Sequence, residues 1–389
     1  MARLALPSLS DGPAEMAHSG IREISNEALR TPGAIRLDVG QPNFPTPQHV
    51  KDAGKRAIDE NQTFYTHTQG ILSLRERLAD KLERVNGIKT TPPQIACAAG
   101  GVGAIAAMLA AVVEPGDEVL LPDPGWPNYR MMPPWLGARA VFYPCPAVAG
   151  FQPDLEALES LIGPRTKVLV VNSPNNPTGA VYPVSTLEAM IDLAQRHNLW
   201  LLSDECYDQV ILDGSWTSPA SIAPDDPRIA TVFTFSKTYA MTGWRLGYLV
   251  GSNELVDTAT KVLESNSSCV STISQVAAEA ALTGPQDCVK EMVAAYRRRR
   301  DLVVDILKDA ELFIAEPTGA FYIMADISPR GLPSRDFAFA LLRERGVSVA
   351  PGTAFGQVAR DAVRISLASS DADLREGVGR LAKFVHGST

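Results

Sequence analysis

Cysteine is scarce and poorly placed for cross-linking. The 389 residues hold five, Cys97, Cys145, Cys206, Cys269 and Cys288, scattered and never in a Cys-x-x-Cys arrangement. An odd, dispersed set indicates neither a disulfide framework nor a zinc site, and it fits a reducing, cytoplasmic setting. Basic excess is missing too. A net charge of −8 supplies no global field for nucleic acid or an anionic membrane, so small molecules are the expected partners. The one basic cluster, Arg297 to Arg300, falls in a helical pattern of Met292, Val293, Tyr296, Leu302, Val303 and Ile306. A solvated helix face is the expected setting for it. Long apolar runs are also absent. The longest, residues 103–113, is too short to cross a bilayer and reads as a buried helix. Leu4-Ala5-Leu6 ahead of Pro7 is too little for a secretory leader. No internal repeat or low-complexity segment is visible.

What is present is enough apolar residues, 45%, for a large core shared by two domains, which excludes a fibrous or disordered chain. Strand-like runs at 118–121, 140–143, 167–172, 200–204, 229–235 and 245–250 alternate with helix-length amphipathic segments. That order predicts an α/β fold with a mostly parallel sheet covered by helices on both faces. Helices are expected at 155–162 and 185–197, the second with Ser185 as N-cap and Glu188 three residues on. Residues 37–47 are rich in Gly and Pro and read as extended loop. Composition changes near Gly284-Pro285, after which come a long helix at 288–308, strands at 320–324, 347–350 and 363–367, and a final helix. The expected division is a large domain, 46–283, and a smaller α+β domain built from both ends, 1–45 with 284–389.

The chemistry centres on Lys237 in Thr234-Phe235-Ser236-Lys237, followed by Thr242-Gly243-Trp244-Arg245-Leu246-Gly247-Tyr248. An amine at the end of a buried strand is partly desolvated and nucleophilic, and Arg245 supplies a permanent cation suited to phosphate. A solvated lysine beside a surface ion pair is the plain alternative. Ala99-Gly100-Gly101-Val102-Gly103 opens an apolar helix, an arrangement that suits an anion or, equally, close helix packing. Asn176, in Asn175-Asn176-Pro177-Thr178-Gly179, either presents its amide to a ligand oxygen or only shapes a turn. Asp204 and Tyr207 lie at a strand end, where ligands of open α/β sheets gather. A buried Asp there holds a heteroaromatic nitrogen protonated and a nearby phenol donates to a phenolate, unless Asp204 merely caps a helix. Trp126 is either a plate for a planar ring or a core residue. Arg364, inside the apolar run Val363-Arg364-Ile365-Ser366-Leu367, needs an anionic partner: a substrate carboxylate or an internal Asp or Glu.

Taken together these segments resemble the class I aminotransferases of the fold-type I pyridoxal-phosphate enzymes. The likeness runs in collinear order from Gly40-Gln41-Pro42 through Tyr65, Gly101, Trp126, Asn176, Asp204, Tyr207, Lys237 and Arg245 to Arg364. The resemblance implies a large domain with a seven-stranded-type sheet and an amino-acid:2-oxo-acid aminotransferase working by a ping-pong mechanism. It implies that Lys237 forms a Schiff base with pyridoxal 5′-phosphate and shuttles the α-proton, and that Asp204 keeps the pyridine nitrogen protonated. Asn176 and Tyr207 are implied to bond the ring oxygen, and Trp126 to stack on the ring. Arg245, Ser236, Thr234 and the Gly101-Val102 backbone are implied to hold the phosphate. Arg364 is implied to take the α-carboxylate with help from Asn176 and the Gly40 backbone. Tyr65 is implied to complete the neighbouring subunit's phosphate site, hence a homodimer.

Two departures from the family pattern stand out. Val102 replaces the Ser, Thr or Lys that many relatives carry, leaving only backbone contact with phosphate. Residues 263–269, Leu-Glu-Ser-Asn-Ser-Ser-Cys, lack the arginine with which aspartate-specific members hold a distal carboxylate. Lyase chemistry on the same scaffold, or a non-catalytic binding domain, are the alternative readings.

Overall fold

The computed structural model describes residues 10–16 and 18–387; Leu4-Ala5-Leu6 lies outside them. Strand periodicity explains the central layer. In β3 (Glu118–Asp123) and β5 (Thr166–Asn172), Val119, Leu121, Val168 and Val170 enter one apolar cluster while Leu120, Leu169 and Val171 enter another. Alternate side chains of a strand leave opposite faces, so both faces must be covered. The apolar run from residue 103 does part of the covering, in helix Gly100–Val112, which ends one residue short of the run's last, Val113.

With β2 (Ile95–Ala98), β4 (Arg139–Pro144), β6 (Trp200–Asp204), β7 (Ile229–Thr234) and β8 (Gly247–Val250), these strands form a seven-stranded sheet in the order β2-β8-β7-β6-β5-β3-β4. The pairs from β4 through β7 are parallel, whereas β8 runs antiparallel to both β7 and β2. The expected α/β architecture with a mostly parallel sheet is what forms. Parallel register sets Asn172 beside Asp204, and Thr234 ends the next strand. Three polar side chains are thereby delivered to the carboxyl edge of the sheet.

A second unit of structure faces that edge. β9 (Tyr322–Asp326), β11 (Ala350–Pro351) and β12 (Ala362–Ser366) make an antiparallel sheet in the order β11-β12-β9. β1 (Ile35–Arg36) pairs in parallel with β10 (Val347–Ser348), tying the two ends of the chain together. The single strand expected at 347–350 is therefore two, in different sheets. The strand expected from residue 320 begins at Tyr322, because Ala320 has a left-handed φ of 54°.

Two further expectations fail. Helix Val184–Arg196 is entered from Pro183, without a side-chain cap from Ser185; Ser185 is already inside the first turn. The Arg297–Arg300 cluster is only half a solvated face: Arg297 and Arg298 are exposed, whereas the next two arginines are not. In helix Asp287–Asp309, Arg299 and Arg300 are 6% and 4% exposed. Arg299 donates to Asp371, Asn43 and the Leu367 carbonyl; Arg300 donates to Asp213, Asp301 and the Pro317 carbonyl. Helical periodicity places a residue on a face but does not reveal the carboxylates that tertiary structure brings to it.

Candidate active site

A cavity of about 1050 Å³ lies between the carboxyl edge of the large sheet, β9 and β12, and helix Gly20–Leu29. Twelve of the thirteen residues singled out in the sequence line it: Gly40, Gly101, Val102, Trp126, Asn176, Asp204, Tyr207, Thr234, Ser236, Lys237, Arg245 and Arg364. Tyr65 does not. It stands outside this cavity, 89% exposed. The charged lining is Arg22, Lys237, Arg245 and Arg364 against the single carboxylate of Asp204, an excess of positive charge that suits anions.

The strand ends build the floor. Asp204 is 4% exposed; its Oδ1 accepts from the Cys206 N–H at 3.1 Å and its Oδ2 from the Tyr129 hydroxyl. Burial pushes its carboxyl up, while the Cys206 and Tyr129 donors and the Lys237 charge pull it down. No helix follows at once, so capping is not its role. Asn172 couples the neighbours: its Nδ2 donates to the Asp204 carbonyl at 3.1 Å, and its Oδ1 accepts from the Asn176 N–H at 2.9 Å. Thr234 ends β7, its hydroxyl donating to Ser236 Oγ at 2.9 Å. The short helix Phe235–Thr238 then carries half-buried Lys237, whose Nζ donates to the Gly40 carbonyl at 2.6 Å. The surface-lysine reading is excluded by that placement.

Arg245 adopts a left-handed φ of 56°, a sparsely populated state for a side-chain-bearing residue. Its guanidinium donates to the Thr242 and Ala99 carbonyls at 2.9 and 3.2 Å. No ion pair among the described residues uses it. Gly100, with φ +77°, is required beside it: a Cβ there would lie 2.6 Å from Arg245 Nη2.

Arg364 forms the opposite wall. It is 2% exposed, donates to Asn176 Oδ1 at 2.9 Å and to the Asp38 carbonyl at 2.7 Å, and its Nε has no partner. The carboxylate of Asp38 is engaged elsewhere, by Arg36 and Ser348. The internal-carboxylate alternative is thus excluded among the described residues. The rings of Tyr322 and Phe355 lie 4.3 and 4.9 Å from the guanidinium carbon; such contacts hold a cation without neutralising it. Burial pulls the pKa of Arg364 down.

The aminotransferase class I and II family matches residues 32–381. An aspartate/prephenate aminotransferase of Thermus thermophilus is 41% identical, over 90% of this chain and 91% of its own. The chain is a class I aminotransferase. A second aspartate/prephenate aminotransferase, from Cereibacter sphaeroides, is 39% identical over 97% of this chain and 99% of its own. The solved aspartate aminotransferase of Thermus thermophilus with maleate superposes with a TM-score of 0.93 at 39% identity, covering 97% of this chain and 100% of that one. Enzymes of this family depend on pyridoxal phosphate. Among the described residues, no helix of this aminotransferase is long and apolar enough to cross a membrane.

Sequence reasoning missed four lining residues of this aminotransferase that matter. Tyr129 donates to Asp204, from a helix, Pro127–Trp135, that starts with Pro at its first position. The Gly-Trp-Pro-Asn-Tyr spelling held that signal. Tyr322 meets Tyr207 hydroxyl to hydroxyl at 2.9 Å and lies over Arg364. A Cβ on Gly40 would sit 2.8 Å from its hydroxyl, so glycine is needed there too. Asn172 and Arg22 are the others; nothing local in the sequence marks either.

Proposed function

We propose that the cavity holds pyridoxal 5′-phosphate and exchanges an amino group between an L-amino acid and a 2-oxo acid in two half-reactions. The observation that carries this reading is Arg364. A buried guanidinium whose Nε has no partner and which meets no carboxylate is a strong site for a substrate carboxylate, and it faces the same cavity as the Lys237 amine. The residues present fit the cofactor. Arg245, Ser236, Thr234 and the Gly101-Val102 backbone would hold its phosphate, Trp126 would cover the ring, and Asp204 would hold a proton on the ring nitrogen. Asn176 Oδ1 is taken by Arg364, which leaves its amide hydrogens for the ring oxygen beside the Tyr207 hydroxyl.

Bound pyridoxal phosphate supplies an electron-withdrawing ring that takes up the electron pair released at the substrate α-carbon. Everything else falls to the chain. Lys237 would hold the cofactor at its aldehyde, and its amine, once free, would take the proton from the substrate α-carbon. Arg364 orients that carbon by forking onto its carboxylate, with Asn176 as a second support. Tyr322, in contact with both Tyr207 and Arg364, keeps the two sides in register.

The same proposal includes the division into a large unit, 46–283, and a small unit from 1–45 with 284–389. Pairing of β1 with β10 supports it. It also includes a homodimer in the cytoplasm. Tyr65 and Phe64, 89% and 78% exposed outside the cavity, support the first; five cysteines without a disulfide support the second.

Mixing the cofactor-loaded protein with one amino acid at a time tests the function. The expected result is one oxo acid per site, no free ammonia, and recovery of the starting spectrum on adding a 2-oxo acid. Lys237→Ala is expected to abolish turnover. Ammonia release without an acceptor, or turnover surviving in Lys237→Ala, would contradict the proposal.

A further inference from the structure

Four cationic side chains line the cavity, and the proposed reaction employs three of them. Arg22 is left over. It sits in the first turn of helix Gly20–Leu29, after N-cap Ser19. A cation at the amino end of a helix runs against the helix dipole. Among the described residues its guanidinium has no hydrogen-bonding or ion-pairing partner to offset that. The adjacent carboxylate, Glu23, is taken by Arg335.

The helix that carries Arg22 is held in place. Ile24 and Ala28 anchor the helix in the apolar core. Ser25 accepts from Arg36, which itself grips Asp38, and the Glu23–Arg335 pair pins another side. Ile21, Arg22 and Ser25 are left on the cavity, as helical spacing requires. By contrast residues 263–269 contain no arginine and do not line this chain's own cavity.

We propose that Arg22 is a specificity-determining residue: it binds the second carboxylate of a dicarboxylic substrate, an amino diacid or its 2-oxo counterpart. This rests on the aminotransferase reading above. The charge pattern matches group by group. Phosphate falls to Arg245, the carboxylate next to the reacting carbon to Arg364, and the distal carboxylate to Arg22, leaving Lys237 for carbonyl chemistry. Arg22 is exposed at the cavity rim, so its charge-assisted bond is weakened by water and salt. The discrimination it confers is correspondingly moderate, and the same exposure makes its replacement harmless to folding.

The test is Arg22→Gln against the wild type, both cofactor-loaded and with equal melting temperatures, using 2-oxoglutarate and pyruvate as alternative acceptors. The kcat/KM for 2-oxoglutarate is expected to fall about ten- to a hundredfold, and that for pyruvate by less than about twofold. Glutarate, a dicarboxylate with nothing to transfer, is expected to lose inhibition by a similar factor in the variant. Equal losses with both acceptors, or no loss with 2-oxoglutarate, would overturn the assignment. A wild type that accepts only monocarboxylic partners overturns it too and leaves the aminotransferase reading intact. A wild type that makes no oxo acid from any amino acid overturns both.

Discussion

Two buried arginines in this molecule have opposite surroundings. Arg300, 4% exposed in helix Asp287–Asp309, is met by Asp213, Asp301 and the Pro317 carbonyl. Arg364, 2% exposed in β12, meets one amide oxygen, one backbone carbonyl and two aromatic faces, and its Nε meets nothing. Burying a charge costs several kcal/mol unless it is paired. Arg300 meets that cost within the fold; Arg364 leaves it standing in the free protein, and a ligand carboxylate relieves it. Burial alone therefore does not distinguish a structural arginine from a binding one. The partner inventory does.

Replacing each arginine should separate the two roles. Arg364→Met is expected to lower kcat/KM roughly a hundred- to a thousandfold, the cost of removing a buried charge partner. Its stability should move by no more than about 1.5 kcal/mol, since an uncompensated charge leaves with the side chain. Steady-state kinetics and a denaturant melt check both halves. Arg300→Met should do the reverse. A stability loss of about 1–3 kcal/mol is expected, tempered because its carboxylate partners are half-exposed, with KM unchanged per folded molecule.

Glu205 extends the comparison to a buried acid. Its Oε1 accepts from Ser203 and Ser218 at 2.8 and 2.7 Å, its Oε2 has no partner, and burial pushes its pKa up to about 8. Asp208, close by, has the Lys81 ammonium at 2.6 Å. A carboxyl whose pKa is raised on folding binds its proton more tightly when folded. Its contribution is then complete below the ordinary carboxylate range and is lost as pH climbs to about 8. Glu205→Gln should flatten the fall in stability across that window, measured as unfolding free energy against pH.

Legibility followed the same division. Lys237, Asp204 and Asn176 could be read because each ends or follows a strand whose apolar run is visible in the sequence, and the carboxyl edge of such a sheet gathers ligands. Arg364 could be read because a cation inside Val363-Arg364-Ile365 breaks an apolar pattern. Tyr322 could not: a phenol at the start of a strand is ordinary, and its contacts, Tyr207 and Arg364, are 115 and 42 residues away. Arg22 was invisible for the converse reason. One more charge on an exposed helix carries no signal until the cavity shows what it faces. Arg299 and Arg300 were misread because their carboxylates arrive from Asp371 and Asp213, far along the chain. β2 went unread because four residues, Ile95–Ala98, are too few to establish a period.

The central claim is that the unfilled bonding capacity of Arg364 belongs to the substrate's carboxylate. Its most direct test compares an amino acid that drives the half-reaction with the amine lacking that carboxylate, each titrated against cofactor-loaded wild type and Arg364→Met. Wild type should prefer the acid by roughly a hundredfold or more, and the variant should prefer it by less than about threefold. A preference of the same size in both proteins would mean that the carboxylate is held elsewhere.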